Sequence, residues 1–105
     1  NGISGEVNGI TPISGEIPRT YNLSQNYPNP FNPVTNIKFS LPEAGFVKLV
    51  IYDIMGREVK TLVSENLKAG VYLADWDASS ITSGVYFYKL FTNKFTDTRR
   101  MILVK

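Results

Sequence analysis

The run LSQNYPNPFNP, Leu23 to Pro33, constrains the fold of this chain more than any other segment. Each proline fixes its own φ near −65° and pushes the preceding residue toward extended geometry, so Tyr27, Asn29 and Asn32 are biased away from helix. The asparagines supply side-chain-to-backbone bonds in place of a strand ladder. Such a segment is a rigid plug, and Pro28, Asn29, Pro30, Phe31, Asn32 and Pro33 form its centre. Its two aromatics, Tyr27 and Phe31, are expected to pack inward and close one end of a small β domain.

Downstream of the plug the apolar residues alternate with period two, the mark of half-buried strands. Ile37, Phe39 and Leu41 share one face, and Val47, Leu49 and Ile51 repeat the pattern. Tyr52 to Arg57 reads as a tight reversal in which Gly56 takes the φ > 0 position before Arg57. A strand follows over roughly residues 57–63, and Ser64 to Ala69 reads as polar connection. From Gly70, Tyr72, Ala74 and Trp76 line one face while Asp75 and Asp77 line the other, which makes Trp76 the expected core centre. Gly84 releases Val85 to Phe91, a run apolar on both faces except at Lys89, expected to be an internal strand covered on each side. Thr92 to Phe95 suits a two-residue hairpin with Asn93 left-handed, and the last strand covers roughly residues 95–104. Six strands, or seven with a short one near Tyr21, predict an all-β chain: an immunoglobulin-like antiparallel β-sandwich of about seven strands.

Residues 1–20 differ in kind. They contain ISGE twice, at Ile3–Glu6 and Ile13–Glu16, among Gly, Ser, Asn, Thr and Pro. The reading is a flexible, extended linker, with a short added strand as the lesser alternative. The folded domain is then 21–105. The first residue is not methionine, no apolar run is long enough to cross a bilayer, and the chain reads as a piece of a longer protein.

Neither cysteine nor histidine is present. That removes disulfides, Cys and His nucleophile systems, Ser-His-Asp triads and Cys/His zinc sites, leaving carboxylates as acid/base groups. Asp75 and Asp77 could act as such a pair or touch calcium, but the simpler reading is that Asp77 caps the loop beginning at Ala78 and Asp75 is solvated. No catalytic residue, cofactor or metal is assigned. Eleven basic against nine acidic residues, net +2, give no footprint for nucleic acid. Tyr86, Phe87 and Tyr88 alternate across a strand and so cannot form one sugar-binding platform. The basic residues Lys94, Arg99, Arg100 and Lys105 beside apolar Met101–Val104 read either as edge protection or as a recognition tail for a strand-pairing partner.

Taken in order, LSQNYPNPFNP, TNIKFSLP (35–42), VKLVIYDIMGREVKTL (47–62), AGVYLADWDAS (69–79), SGVYFYKL (83–90) and the closing RRMILVK resemble the type A C-terminal sorting domain of the type IX secretion system across residues 21–105. The resemblance implies a non-catalytic signal at the end of a secreted protein of a Gram-negative bacterium. The signal is read by an outer-membrane translocon after passage through the periplasm and is typically removed by a sortase-like peptidase, with the cargo going to the cell surface or the medium. It places the recognition motif on Arg99, Arg100, Met101, Ile102, Leu103, Val104 and Lys105, and structural motifs on the plug, on Gly56 and Arg57, and on Trp76, Asp77 and Gly84. Tyr72 departs from the histidine that many members carry. The resemblance makes residues 1–20 the flexible linker from a preceding cargo domain, and cleavage is expected within residues 1–22. The competing reading is an accessory sandwich that binds polysaccharide or docks a neighbouring catalytic domain.

Overall fold

The computed structural model describes residues 10–14 and 16–105, and the first ISGE copy lies outside them. Eight strands form two antiparallel sheets. They are β1 (Ile10–Ser14), β2 (Asn22–Leu23), β3 (Val34–Leu41), β4 (Gly45–Tyr52), β5 (Glu58–Leu67), β6 (Gly70–Asp77), β7 (Gly84–Phe91) and β8 (Thr96–Leu103). One sheet has the order β1-β6-β3-β2 and the other β5-β4-β7-β8. The chain crosses between sheets after β3, β5 and β6, as in the immunoglobulin-like class.

The period-two pattern buries one face of each sheet against the other. Ile37, Phe39 and Leu41 of β3 and Tyr72, Ala74 and Trp76 of β6 meet Val47, Leu49 and Ile51 of β4 and Tyr86, Tyr88 and Leu90 of β7. Trp76 is 3% exposed, with the Phe31 ring 5.7 Å away and Tyr86 edge-on at 5.9 Å. It holds the centre of an aromatic cluster at one end of the core. Tyr88, also buried, donates from its hydroxyl to the Ser24 carbonyl at 2.6 Å.

Burial pushes the Tyr88 phenol up to about 12. Its folded value exceeds its unfolded one, so this contribution to stability is complete below pH 10 and is lost as pH rises from about 10 to about 12. Thermal melts across that range should show a decline in Tm that is shallower in Tyr88→Phe. An equal slope in the two proteins would mean that Tyr88 is not what titrates.

Several sequence expectations need correction. Within the expected linker, residues 10–14 follow the lesser alternative of an added strand and pair antiparallel with β6 from Ile10↔Ala74 to Ser14↔Val71. An open β6 edge accepts a strand, Ile10 packs partly against the core, and Pro12 is tolerated because β1 is itself an edge strand, with a register shift between Pro12 and Ser14. β5 does not stop near residue 63 but continues through the polar Ser64–Asn66 to Leu67, shifting register twice against β4. Edge strands carry polar side chains without losing their ladder on the paired side.

β7 is internal within its sheet but covered on one face only. Tyr86, Tyr88 and Leu90 are buried, while Val85, Phe87, Lys89 and Phe91 are half-exposed. The turn after β7 has no left-handed residue at Asn93, because no residue other than glycine has positive φ among those described. Instead Thr92 Oγ1 accepts the N–H groups of Phe95, at 2.9 Å, and Lys94, at 3.3 Å. Tyr27 is 79% exposed and does not pack inward; its N–H and carbonyl both pair with Asn36. The three X–Pro bonds Tyr27–Pro28, Asn29–Pro30 and Asn32–Pro33 are cis.

Candidate recognition site

Plug and tail, seventy residues apart in the sequence, lie side by side. β8 is an edge strand, and its pairing with β7 turns the backbone groups of Arg100 and Ile102 toward the open side. The plug covers that side. Gln25 Nε2 donates to Arg100 O at 2.7 Å, and Asn29 Oδ1 accepts the Ile102 N–H at 3.0 Å. Phe31 N–H donates to Ile102 O and Phe31 O accepts the Val104 N–H, each at 2.9 Å. The unpaired groups of a sheet edge, a liability in water, are thereby satisfied.

The plug keeps its shape through a small buried polar cluster. Asn26 is 2% exposed and Thr35 is fully buried. Asn26 Nδ2 donates to Thr35 Oγ1 at 3.0 Å and to Pro28 O at 3.2 Å, and the Thr35 hydroxyl donates to Pro28 O at 2.9 Å. Buried polar groups satisfied in this way rigidify a segment. Phe31 inserts beside Trp76 as the sequence predicts.

The tail residues divide by direction. Met101 and Leu103 are buried in the core, so neither side chain is on offer to a partner of the folded domain. Arg99 is exposed and its Nε donates to Leu23 O at 2.6 Å, tying β8 to the other sheet. Arg100 points to the outer face opposite Phe87, and Ile102 is half-buried opposite Val85. Val104 is 45% exposed. Lys105 Nζ donates to Ser79 O at 2.8 Å and also to Ile81 O, closing the loop after β6.

Around the end of β8 the remaining motifs converge. Asp77 pairs with Val34, and the Ala78 N–H donates to Pro33 O at 2.9 Å, so the end of β6 abuts the end of the plug. Asp77 caps the loop as expected: its Oδ1 accepts both the N–H, at 3.0 Å, and the hydroxyl of Ser79. Those bonds, the hydroxyl's first, together with the charge of Lys105, hold its carboxyl below the usual aspartate value. Gly84, at φ 154°, pairs with Leu103.

The reversal after β4 completes this pole. Gly56 has φ 83°, the left-handed geometry read from the sequence. Asp53 Oδ1 accepts the N–H groups of Met55 and Arg57 at 2.9 Å, and its Oδ2 accepts Arg57 Nε at 3.0 Å. The Arg57 N–H bond is the leading cause that lowers the Asp53 carboxyl. Ile54 and Met55 project from the tip, 70% and 74% exposed. Between this turn and residues 82–86 lies an open cavity of about 230 Å³.

Sequence reasoning named the plug, the turn, Trp76–Asp77, Gly84 and the tail one by one, and the structure gathers them at one end. It missed Gln25 and Thr35, which bind the plug to β8 and to itself, and read Asn26 only as one of the plug asparagines that bond to backbone. Asn26 carried a signal, as an asparagine beside the first proline pair. Gln25 and Thr35 carried none that a local pattern could reveal.

No curated protein matches the chain. A family model described as "Secretion system C-terminal sorting domain" matches residues 25–105, from the residue that binds Arg100 to the last residue of the tail.

Proposed function

The chain belongs to the secretion system C-terminal sorting domain family, and on that premise we propose how the sorting signal of type IX secretion is displayed and used here. The domain rides at the C-terminal side of a cargo protein that reaches the periplasm of a Gram-negative bacterium. The outer-membrane translocon reads the exposed side chains of the tail, Arg99, Arg100, Val104 and Lys105, in the fixed arrangement that plug and loop impose. Met101 and Leu103 act indirectly, as core residues that hold β8 in place. Recognition by added-strand pairing along residues 100–104 is disfavoured while the plug occupies that edge.

Residues upstream of Tyr21 connect cargo to domain, with β1 docked on β6. A sortase-like peptidase needs an extended, unpaired segment, so cleavage within residues 1–22 falls outside β1 and before Asn22 of β2, and the cargo goes to the cell surface or medium. The single observation that carries this reading is the family match, which spans every element of the pole.

The experiment is export of a folded reporter fused to residues 1–105 in a host with an intact type IX system. The reporter should reach the surface or medium only with the domain attached, and its intact mass should show the domain removed. A reporter retained in the periplasm beside a folded domain would defeat the reading. A secreted reporter still carrying the domain would count against removal alone.

A further inference from the structure

We infer that the outer face of the β5-β4-β7-β8 sheet is a binding surface for an acidic polysaccharide. This face bears apolar residues that take no part in the core. Val50 is fully buried yet lies apart from the core cluster, as do half-exposed Tyr52, Phe87 and Phe91. Residues on one face alternate along each strand, so Lys48, Val50 and Tyr52 of β4 stand beside Phe91, Lys89 and Phe87 of β7. Arg100 of β8 follows Phe87 in the same row.

The registers place the three cations on a diagonal. Lys48 pairs with Phe91, Lys89 with Val50 and Thr98, and Arg100 with Phe87, so each cation lies one strand over and one row along from the last. Strands about 4.8 Å apart and a two-residue step of about 6.8 Å set the backbone positions of successive cations about 8 Å apart. Val50, Tyr52 and Phe87 fall on one side of the diagonal; Phe91 and Thr98 fall on the other. Lys89 Nζ sits 5.0 Å from the centre of the Phe91 ring. None of the three cations joins an ion pair among the described residues, and the one carboxylate in these rows, Glu58 opposite Tyr52, sits at the β5 edge and accepts the Thr61 hydroxyl.

Rings on both sides of a line of cations that join no ion pair among the described residues match a polymer of rings carrying one acidic group at intervals. Sugar C–H faces rest on Tyr52 and Phe87, while carboxylates or phosphates meet Lys48, Lys89 and the planar Arg100 fork. A net charge of only +2 suits this sparse charge better than the dense phosphates of a nucleic acid. The choice of a glycan also rests on the export reading, which brings the domain to surfaces coated with sugar polymers.

Affinity electrophoresis of the whole chain tests it, in native gels containing polygalacturonate, phosphomannan or neutral dextran. Retardation is expected in one or both acidic gels, the pair telling carboxylate from phosphate, with none in dextran and with loss at about 1 M salt. Lys48→Gln with Lys89→Gln should weaken it about fivefold or more, and Phe87→Thr, checked for folding by circular dichroism, should weaken it also. The inference is overturned by equal retardation in dextran, by none in either acidic gel, by an unchanged double variant, or by tighter binding to poly(U) or phosphatidylglycerol vesicles. An exported chain that is not retarded defeats this inference alone; a retarded chain that is not exported defeats the sorting reading alone.

Discussion

Replacing Phe31 with alanine should destabilise the domain by about 3–5 kcal/mol, the cost of emptying a filled aromatic site. The side chain is 1% exposed and contacts Trp76, so its removal opens a void at the end of the core where plug, β6 and β8 meet. Against a total stability of about 5–15 kcal/mol such a loss brings the protein close to unfolding, with a fall in Tm of well over about 10 °C. Tyr27→Ala supplies the contrast. Its side chain is 79% exposed, and the change should stay within about 0.5 kcal/mol. Thermal melts of the two variants decide the matter. A loss for Phe31→Ala as small as that for Tyr27→Ala would mean that the plug acts through its backbone alone.

Deleting Met101–Lys105 should unfold the domain, with loss of its cooperative melt. The deletion removes two fully packed core side chains, Met101 and Leu103, each worth about 2–5 kcal/mol. It also removes the β8 pairing with Gly84–Tyr86, both backbone bonds that anchor Phe31, and the Lys105 bonds that close the 79–81 loop. The sum reaches the whole stability of an ordinary domain. Circular dichroism and amide NMR dispersion are the measurements. A truncated chain that still melted cooperatively would show the tail to be an appendage. If it unfolds, loss of secretion on truncation reports the fold as well as recognition, and only variants that stay folded can separate the two.

The strands legible in the sequence are those whose two faces differ in environment. β3 and β6 alternate cleanly because one face meets the core and the other meets water, and Trp76 turns inward for that reason, at one end of the core and not at its centre. β7 defeated the same reasoning because its outer residues, Phe87 and Phe91, are apolar without being covered, and period alone cannot distinguish a second buried face from an apolar outer one. Tyr27 and Phe31 sit in a segment without a period, so nothing local said which of the two turns inward. Ile10–Ser14 lacks a run of large apolar residues; its partner is an open edge, and pairing there depends on backbone groups that composition does not reveal.

The site was legible in parts and illegible as a whole. Gly56, Asp77 and the plug prolines announce local geometry, and each behaves accordingly. That Phe31 bonds to Ile102 and Val104, or that Lys105 closes the loop after Asp77, follows from sheet order, a long-range property. The consequence corrects a natural expectation: plug and tail, which look like opposite ends with separate tasks, form one structure, and two of the tail residues, Met101 and Leu103, are core.

On the reading proposed above, the export signal consists of tail side chains displayed on a folded sandwich. Export of a reporter fused to the chain carrying Arg99→Ser, Arg100→Ser, Val104→Ser and Lys105→Ser, with folding verified by a cooperative melt, tests it most directly. A folded variant whose reporter stays in the periplasm is the predicted result; a folded variant exported as well as the parent would contradict the account.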